Sequence, residues 1–358
     1  MTTRNLAWIV SLALILAAVS PMLNAESVES PILIEKSSKS KEVSINVPGE
    51  EFRLWQLQGR GNYPMQSYVI ETGRTQKIIV IDGGAPIDGS DLRLFLQQRF
   101  KNGNSSVHAW FLTHQHSNHI GALNAILQSG YPQDLIRMIY GSFLPVSSFK
   151  DIPNEVEHVA IAQALNDAID RLQIPHNLDI PLGTVIWIDG VKFEILSVKN
   201  PELAFPSEGN FLNDSSLVLR VSDGSRSVLF TGDLGRLAAR KLLAGPYASR
   251  LRSDYVQMAH HGSNGASCKF YEQVNARYCL WPTTDAIYEG TVPGDCNDNP
   301  PYPPPATPPT PERPFTAFKT RATVESPLLC GPADSGRHFP PIKIVAGAQL
   351  PYFREISP

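Results

Sequence analysis

At 358 residues, with 42% hydrophobic side chains and a formal charge of −3, the chain can bury one large or two modest cores, which excludes a disordered or fibrous polypeptide. The slightly acidic balance provides no cationic field to hold a long nucleic acid by phosphate neutralisation. That argues against a dedicated nucleic-acid binder.

The chain opens with one basic residue, Arg4, an apolar stretch from Leu6 to Leu23 and a small residue at Ala25. This is how a cleaved secretory signal is built. An uncleaved membrane anchor is the rival reading, because the stretch is near the minimum spanning length; Pro21 favours removal. The expectation is a signal at 1–25, a polar leader at 26–50 and a domain over 51–358, secreted or periplasmic. All four cysteines, Cys268, Cys279, Cys296 and Cys330, fall in the last third. An even number in an oxidising compartment suggests two disulfides of unreadable pairing, and the absence of any CxxC spacing disfavours a zinc knuckle.

Phe52–Gln58 alternates like a strand, and Ser67–Glu71 and Lys77–Ile81 form a hairpin that ends at Asp82-Gly83-Gly84. Ser90 is placed to cap a helix carrying Leu92, Phe95, Leu96 and Phe100 on one face and ending at Gly103. A buried strand, Val107–Leu112, runs straight into THQHSNHIGAL, followed by a helix from Ile120 to Leu127 that stops at Gly130. A strand near Met138–Tyr140 precedes an amphipathic helix, Glu155–Leu172, with Asn154 and Glu157 spaced as a capping box. Short β-rich runs follow at Val185–Ile188, Phe193–Val198, Ser216–Val221 and Ser227–Phe230. Then come TGD, a helix Arg236–Leu243 closed by Gly245, a strand Tyr255–Ala259 and HHGS. Nine prolines in the fifteen residues Pro300–Pro314 exclude helix and central strand and predict an extended surface loop over 298–314, a tether or a proline-rich recognition segment.

Histidines at 114, 116 and 119 in a chain with only nine need a common reason. A loop leaving a strand can turn His114 and His116 to one side while the helix start presents His119, and imidazoles so gathered ligate zinc, iron or manganese. A metal lowers the pKa of water and polarises the bond to be hydrolysed.

THQHSNHIGAL resembles the signature THxHxDHxGG of the metallo-β-lactamase superfamily, and Thr231-Gly232-Asp233 resembles its bridging-aspartate motif. The succession NDSSLVLRV, LFTGD, AHHGS is most similar to the nuclease-like domain of the competence protein ComEC. The resemblance spans Phe52 to Trp281. It implies an α/β fold, an αββα sandwich of two mixed sheets flanked by helices, with one or two zinc ions at a sheet edge. By matching motif, His114 and His116 would hold a first metal, His119 a second, and Asp233 would bridge both and align water. The last ligand maps to His260 or His261, with His260 favoured and the other supporting it. Asp82 resembles a buried aspartate that supports the histidine loop, or is a turn residue.

Two departures stand out. Asn118 replaces the motif's aspartate, a metal ligand that also orients the attacking water, so the metal and catalytic position at 118 holds a weaker donor. No histidine lies between His176 and Asp233, where many members place one; Asn213-Asp214-Ser215-Ser216 stands there and reads as a turn. His108, His158, His176 and His338 are isolated and receive no role. Ser263 is either an anion contact or a turn residue. The leading expectation is a secreted metal-dependent hydrolase acting on a small or short phosphodiester or related ester. The alternative is a binding protein of the same fold, weakened or inactivated by Asn118; a di-iron or sulfur-oxidising relative ranks last.

Overall fold

Ile78-Ile79-Val80-Ile81 is fully buried, as a strand covered on both faces must be. The computed structural model describes residues 52–57, 64–100, 105–130, 135–203, 211–262, 265–276 and 278–282, with strands at Ile34–Glu35, Thr323–Glu325, Ile344–Ala346 and Phe353–Ile356. The expected signal, most of the leader and the proline-rich loop lie outside the described residues.

In chain order the elements are β1 (Ile34–Glu35), β2 (Arg53–Leu57), β3 (Ser67–Glu71), β4 (Ile78–Asp82), α1 (Gly89–Arg99), β5 (Val107–Leu112), α2 (Ser117–Gln128), β6 (Ile139–Gly141), α3 (Val156–Arg171) and β7 (His176–Asn177). There follow β8 (Val185–Ile188), β9 (Val191–Ser197), β10 (Val218–Ser222), β11 (Ser227–Phe230), α4 (Arg236–Ala244), β12 (Tyr255–Gln257), α5 (Cys268–Val274), β13 (Tyr278–Leu280), β14 (Thr323–Glu325), β15 (Ile344–Ala346) and β16 (Phe353–Ile356). One sheet has the order β15-β16-β2-β3-β4-β5-β6-β7 and the other β1-β8-β9-β10-β11-β12-β13-β14. Each passes from antiparallel pairs to parallel ones, at β4/β5 and at β11/β12. Parallel neighbours require crossovers, and the helices supply them.

The sheets meet through aromatic rings. Phe111 of β5 stacks on Phe193 of β9 with centroids 5.2 Å apart, and Tyr68 of β3 meets Phe230 of β11 edge-on at 5.0 Å. On the outer face of the first sheet, Trp55, Val80 and Trp110 pack with Phe95 of α1, Leu123 of α2 and Leu165 of α3. On the outer face of the second, Leu229 and Val256 pack with Leu242 of α4 and Phe270 of α5. The architecture is therefore the expected αββα sandwich. Truncating Phe193 to Ala, which removes a fully buried ring from the seam between sheets, is expected to destabilise the protein by about 3–5 kcal/mol, read as a lower urea midpoint at unchanged slope.

Several boundaries differ from the sequence expectation. Asp88 rather than Ser90 precedes α1, with its carboxylate accepting the Ala85 amide at 2.9 Å. The helix α2 starts at Ser117, so Asn118 and His119 lie in its first turn. Asn154 and Glu157 form no capping box, because Glu155 occupies the cap position and turns its side chain inward. The expected disulfides are not seen among the described residues: Cys279 is a thiol buried in β13, while the Cys268 side chain, Cys296 and Cys330 lie outside them. No helix among the described residues is long and apolar enough to cross a membrane.

Candidate metal centre

Strand β4 ends in a left-handed residue, Asp82 (φ 56°), followed by Gly84 (φ 84°), so the chain reverses and leaves the Asp82 carboxylate buried beneath the loop after β5. Its carbonyl accepts the Trp110 indole N–H at 3.0 Å. The carboxylate accepts the Thr113 amide at 2.7 Å, the Thr113 hydroxyl at 2.8 Å and His119 Nδ1–H at 2.9 Å. Since Thr113 Oγ1 donates to Asp82, it receives His114 Nδ1–H at 3.1 Å. One carboxylate thus orients two imidazoles, leaving both Nε2 atoms facing inward.

The second sheet supplies the opposing wall. After β11 the turn Thr231-Gly232-Asp233 is held by Gln257, whose side chain accepts the Thr231 amide at 2.8 Å and donates to the Gly232 carbonyl at 2.9 Å. Gly232 has φ 55°, and a Cβ there would lie 2.9 Å from Thr113 and Ser216, so only glycine lets this turn nest against the histidine loop. Asp233 Oδ2 then lies 3.2 Å from His119 Nε2, 3.4 Å from His261 Nε2 and 3.8 Å from His114 Nε2.

His114, His119 and Asp233 are buried with their ligand atoms within 4.8 Å of one another. Moreover His114 Nε2, His119 Nε2 and Asp233 Oδ1 are buried without a hydrogen-bond partner. Three orphaned polar atoms cost several kcal/mol together unless something satisfies them. Two imidazole nitrogens and a carboxylate oxygen are the donor set of a divalent transition metal, so the residues fit one.

Sequence favoured His260 as the last ligand; in the structure it is His261 whose Nε2 faces Asp233, at 3.4 Å. The preference assumed alternating side chains along an extended strand; β12 stops at Gln257, and both histidines are left-handed, with φ 50° and 54°. His261 is pinned by Nδ1–H donating to the Pro282 carbonyl at 2.7 Å and by its own carbonyl accepting the Trp281 indole. His260 instead lies at 3.4 Å from the Asn213 amide. Asn118 donates its amide to His261 Nε2 at 2.8 Å.

His116 also departs from the expected grouping. Its ring stays near His114, with centroids 4.6 Å apart, but Nε2 meets the carboxylate of Glu155 at 2.8 Å, and the His158 ring lies tilted against it with centroids 4.2 Å apart. Sequence reading assigned neither Glu155 nor His158 a role. The available signal was their spacing of three at a helix start, which puts both on one face. His176 pairs locally with the Ile174 carbonyl at 2.9 Å; Ser263 and His338 lie outside the described residues.

Burial, helped by the neighbouring His119 and His116, holds the His114 imidazole well below its ordinary range, hence neutral. Burial opposes charge on His119 as well, but the Asp233 and Asp82 carboxylates outweigh it and push the imidazole up to about 10. Asp233 stays ionised: burial resists this, while His119 and His261 drive its carboxyl well below the carboxylate range. Burial, with His116 and His119 nearby, lowers His158 to about 3. Near neutral pH the metal-free His119 carries a proton that a metal must displace, so loading is expected to release about one proton per ion. Calorimetry in buffers of different ionisation enthalpy reads this; zero release would mean that His119 starts neutral.

The sequence profile of the metallo-beta-lactamase superfamily matches residues 61–260, more than half of the chain. ComE operon protein 3 of Bacillus subtilis (strain 168) is 26% identical over 179 residues, 50% of this chain and 20% of that protein. Competence protein ComA of Neisseria gonorrhoeae is 37% identical over 95 residues, 26% of this chain and 12% of that one. The chain therefore spans no more than a fifth of the length of these relatives. Among solved structures, the metallo-beta-lactamase fold protein YhfI from Bacillus subtilis aligns with a TM-score of 0.35 at 15% identity, over 57% of this chain and 69% of its own.

Proposed function

Because the chain belongs to the metallo-β-lactamase superfamily, we propose that it is a secreted hydrolase that depends on one or two divalent metals, zinc foremost, and cleaves a small or short phosphodiester or related ester. The observation that carries this reading is the convergence of three buried, unpartnered ligand atoms, His114 Nε2, His119 Nε2 and Asp233 Oδ1. Those residues would hold the metal, with His261 and Asn118 beside them. When bound, zinc supplies Lewis acidity and an acidified water.

The chain's own groups do the rest. Asp82 fixes His119 directly and His114 through the Thr113 hydroxyl, so neither ring must reorganise during turnover. Asp233, besides holding the metal, would align the attacking water by accepting a hydrogen bond from it. The Asn118 amide gives its two N–H groups to His261 Nε2 and to the Pro64 carbonyl at 3.4 Å, and so steadies the His261 ring. The phosphodiester class follows from the ComEC-like motif succession. The small size follows from the acidic balance, which offers no track for a long polyanion.

Elemental analysis of the purified protein, with turnover of a chromogenic phosphodiester, tests the reading. We expect stoichiometric metal, loss of turnover on chelation and recovery with zinc. Absence of metal binding overturns it. Asn118 supports the second reading, a binding protein of this fold, and metal bound stoichiometrically with no turnover of any ester would select that one.

A further inference from the structure

We propose that Glu155 and His158, at the start of α3, combine with His116 to form a second site for a first-row divalent cation, separate from the one built on His114, His119 and Asp233. The proposal rests on the metal-dependent reading above and assigns its second ion to His116 of the histidine motif together with two residues outside it.

The ligand atoms of His116, Glu155 and His158 lie within 4.8 Å of one another. Glu155 is fully buried. Its partners among the described residues are the Leu212 amide, which donates to Oε1 at 3.2 Å, and His116, which meets Oε2 at 2.8 Å. A carboxylate taken out of water needs fuller compensation than one amide and one imidazole. A cation supplies it.

His158 is oriented for the same task. The Ser117 amide, adjacent in sequence to His116, donates to His158 Nδ1 at 3.3 Å, a long bond that a cation on the same lone pair would replace. Nε2 points the other way, 3.5 Å from the Glu157 carboxylate. An imidazole with a carboxylate beside its outer nitrogen is the usual support of a metal-ligating histidine. Two imidazoles and one carboxylate suit zinc, iron or manganese.

The pattern of gains and losses agrees. At 118 an amide stands in place of a carboxylate, on the side of His261, and no histidine occurs between His176 and Asp233. On the opposite side of His114, α3 brings in one carboxylate and one imidazole that the histidine motif does not contain. Helix α3 thus brings an anionic donor to a neighbouring site, while position 118 stays without one.

The test is metal stoichiometry of the full chain by equilibrium dialysis with zinc, and visible absorption of the cobalt form, for wild type, Glu155→Gln and His158→Phe, with circular dichroism as a check on folding. Wild type should bind two equivalents, and each variant should retain one while binding the second more than about a hundredfold more weakly, since disturbing only a ligand's partners already costs ten- to a hundredfold; the cobalt spectrum should lose one component. The Gln variant keeps the acceptor for Leu212, so it separates ligand loss from misfolding. One equivalent in wild type, lost in Asp233→Ala yet unchanged in both α3 variants, would overturn this inference and leave the hydrolase reading standing. No zinc binding in any form would sink both.

Discussion

Asp233→Asn is expected to strip the first metal and lower phosphodiester turnover by more than about a hundredfold, since merely disturbing the partners of a ligand costs ten- to a hundredfold. Its carboxylate is within 3.8 Å of the Nε2 atoms of His114, His119 and His261, so a single amide withdraws charge from every ring it faces. Metal content and turnover should fall together; turnover that survives in metal-free protein would refute the role.

The same variant reports on stability. In the metal-free protein the raised His119 and depressed Asp233 form a buried pair, and removing one member of such a pair costs about 3–5 kcal/mol. The sign follows from each shift. His119, raised from 6.5 to about 10, contributes stability that is complete below its unfolded value and is lost as pH climbs through about 10. Asp233, depressed from 3.8, contributes above its unfolded value and loses the contribution as pH falls. Metal-free wild type should therefore be most stable between the two unfolded values and weaken on both sides, whereas Asp233→Asn should flatten that profile. Urea midpoints over a pH series measure it.

Asn118→Asp is the largest expected gain. The amide already lies 2.8 Å from His261 Nε2, and a carboxylate there joins Asp233 and His261 as an anionic donor. We expect metal affinity at this side of the centre to rise by about ten- to a hundredfold and turnover to rise with it. Unchanged dialysis curves would show that position 118 faces no ion. The metal-free variant should lose stability, because a third carboxylate, half-buried beside Asp82 and Asp233, enters without its cation.

The two halves of the fold were readable because strand and helix periods are local. Ile78–Ile81 and Val107–Leu112 are apolar runs of strand length bounded by turn residues, and both occur as β4 and β5. Boundaries slipped where side chains answer to distant partners. Glu155 takes the cap position in place of Asn154 and bonds across 39 residues to His116, so the box expected between Asn154 and Glu157 never forms. His260 and His261 read as a strand end, yet the Pro282 carbonyl and the Trp281 indole hold His261 in a left-handed turn.

Sequence by itself determined the donor types and where they enter: histidines after β5 and β12, an aspartate after β11, another at the end of β4. Short-range chemistry suffices for that, because turn residues and apolar runs place these motifs at strand ends whatever surrounds them. Only the tertiary structure decided which histidine of the 260–261 pair faces Asp233, and that α3 contributes Glu155 and His158. Those outcomes depend on how α3 packs beside α2 and how the two sheets meet, and contacts between residues far apart in the chain leave no periodic trace in it.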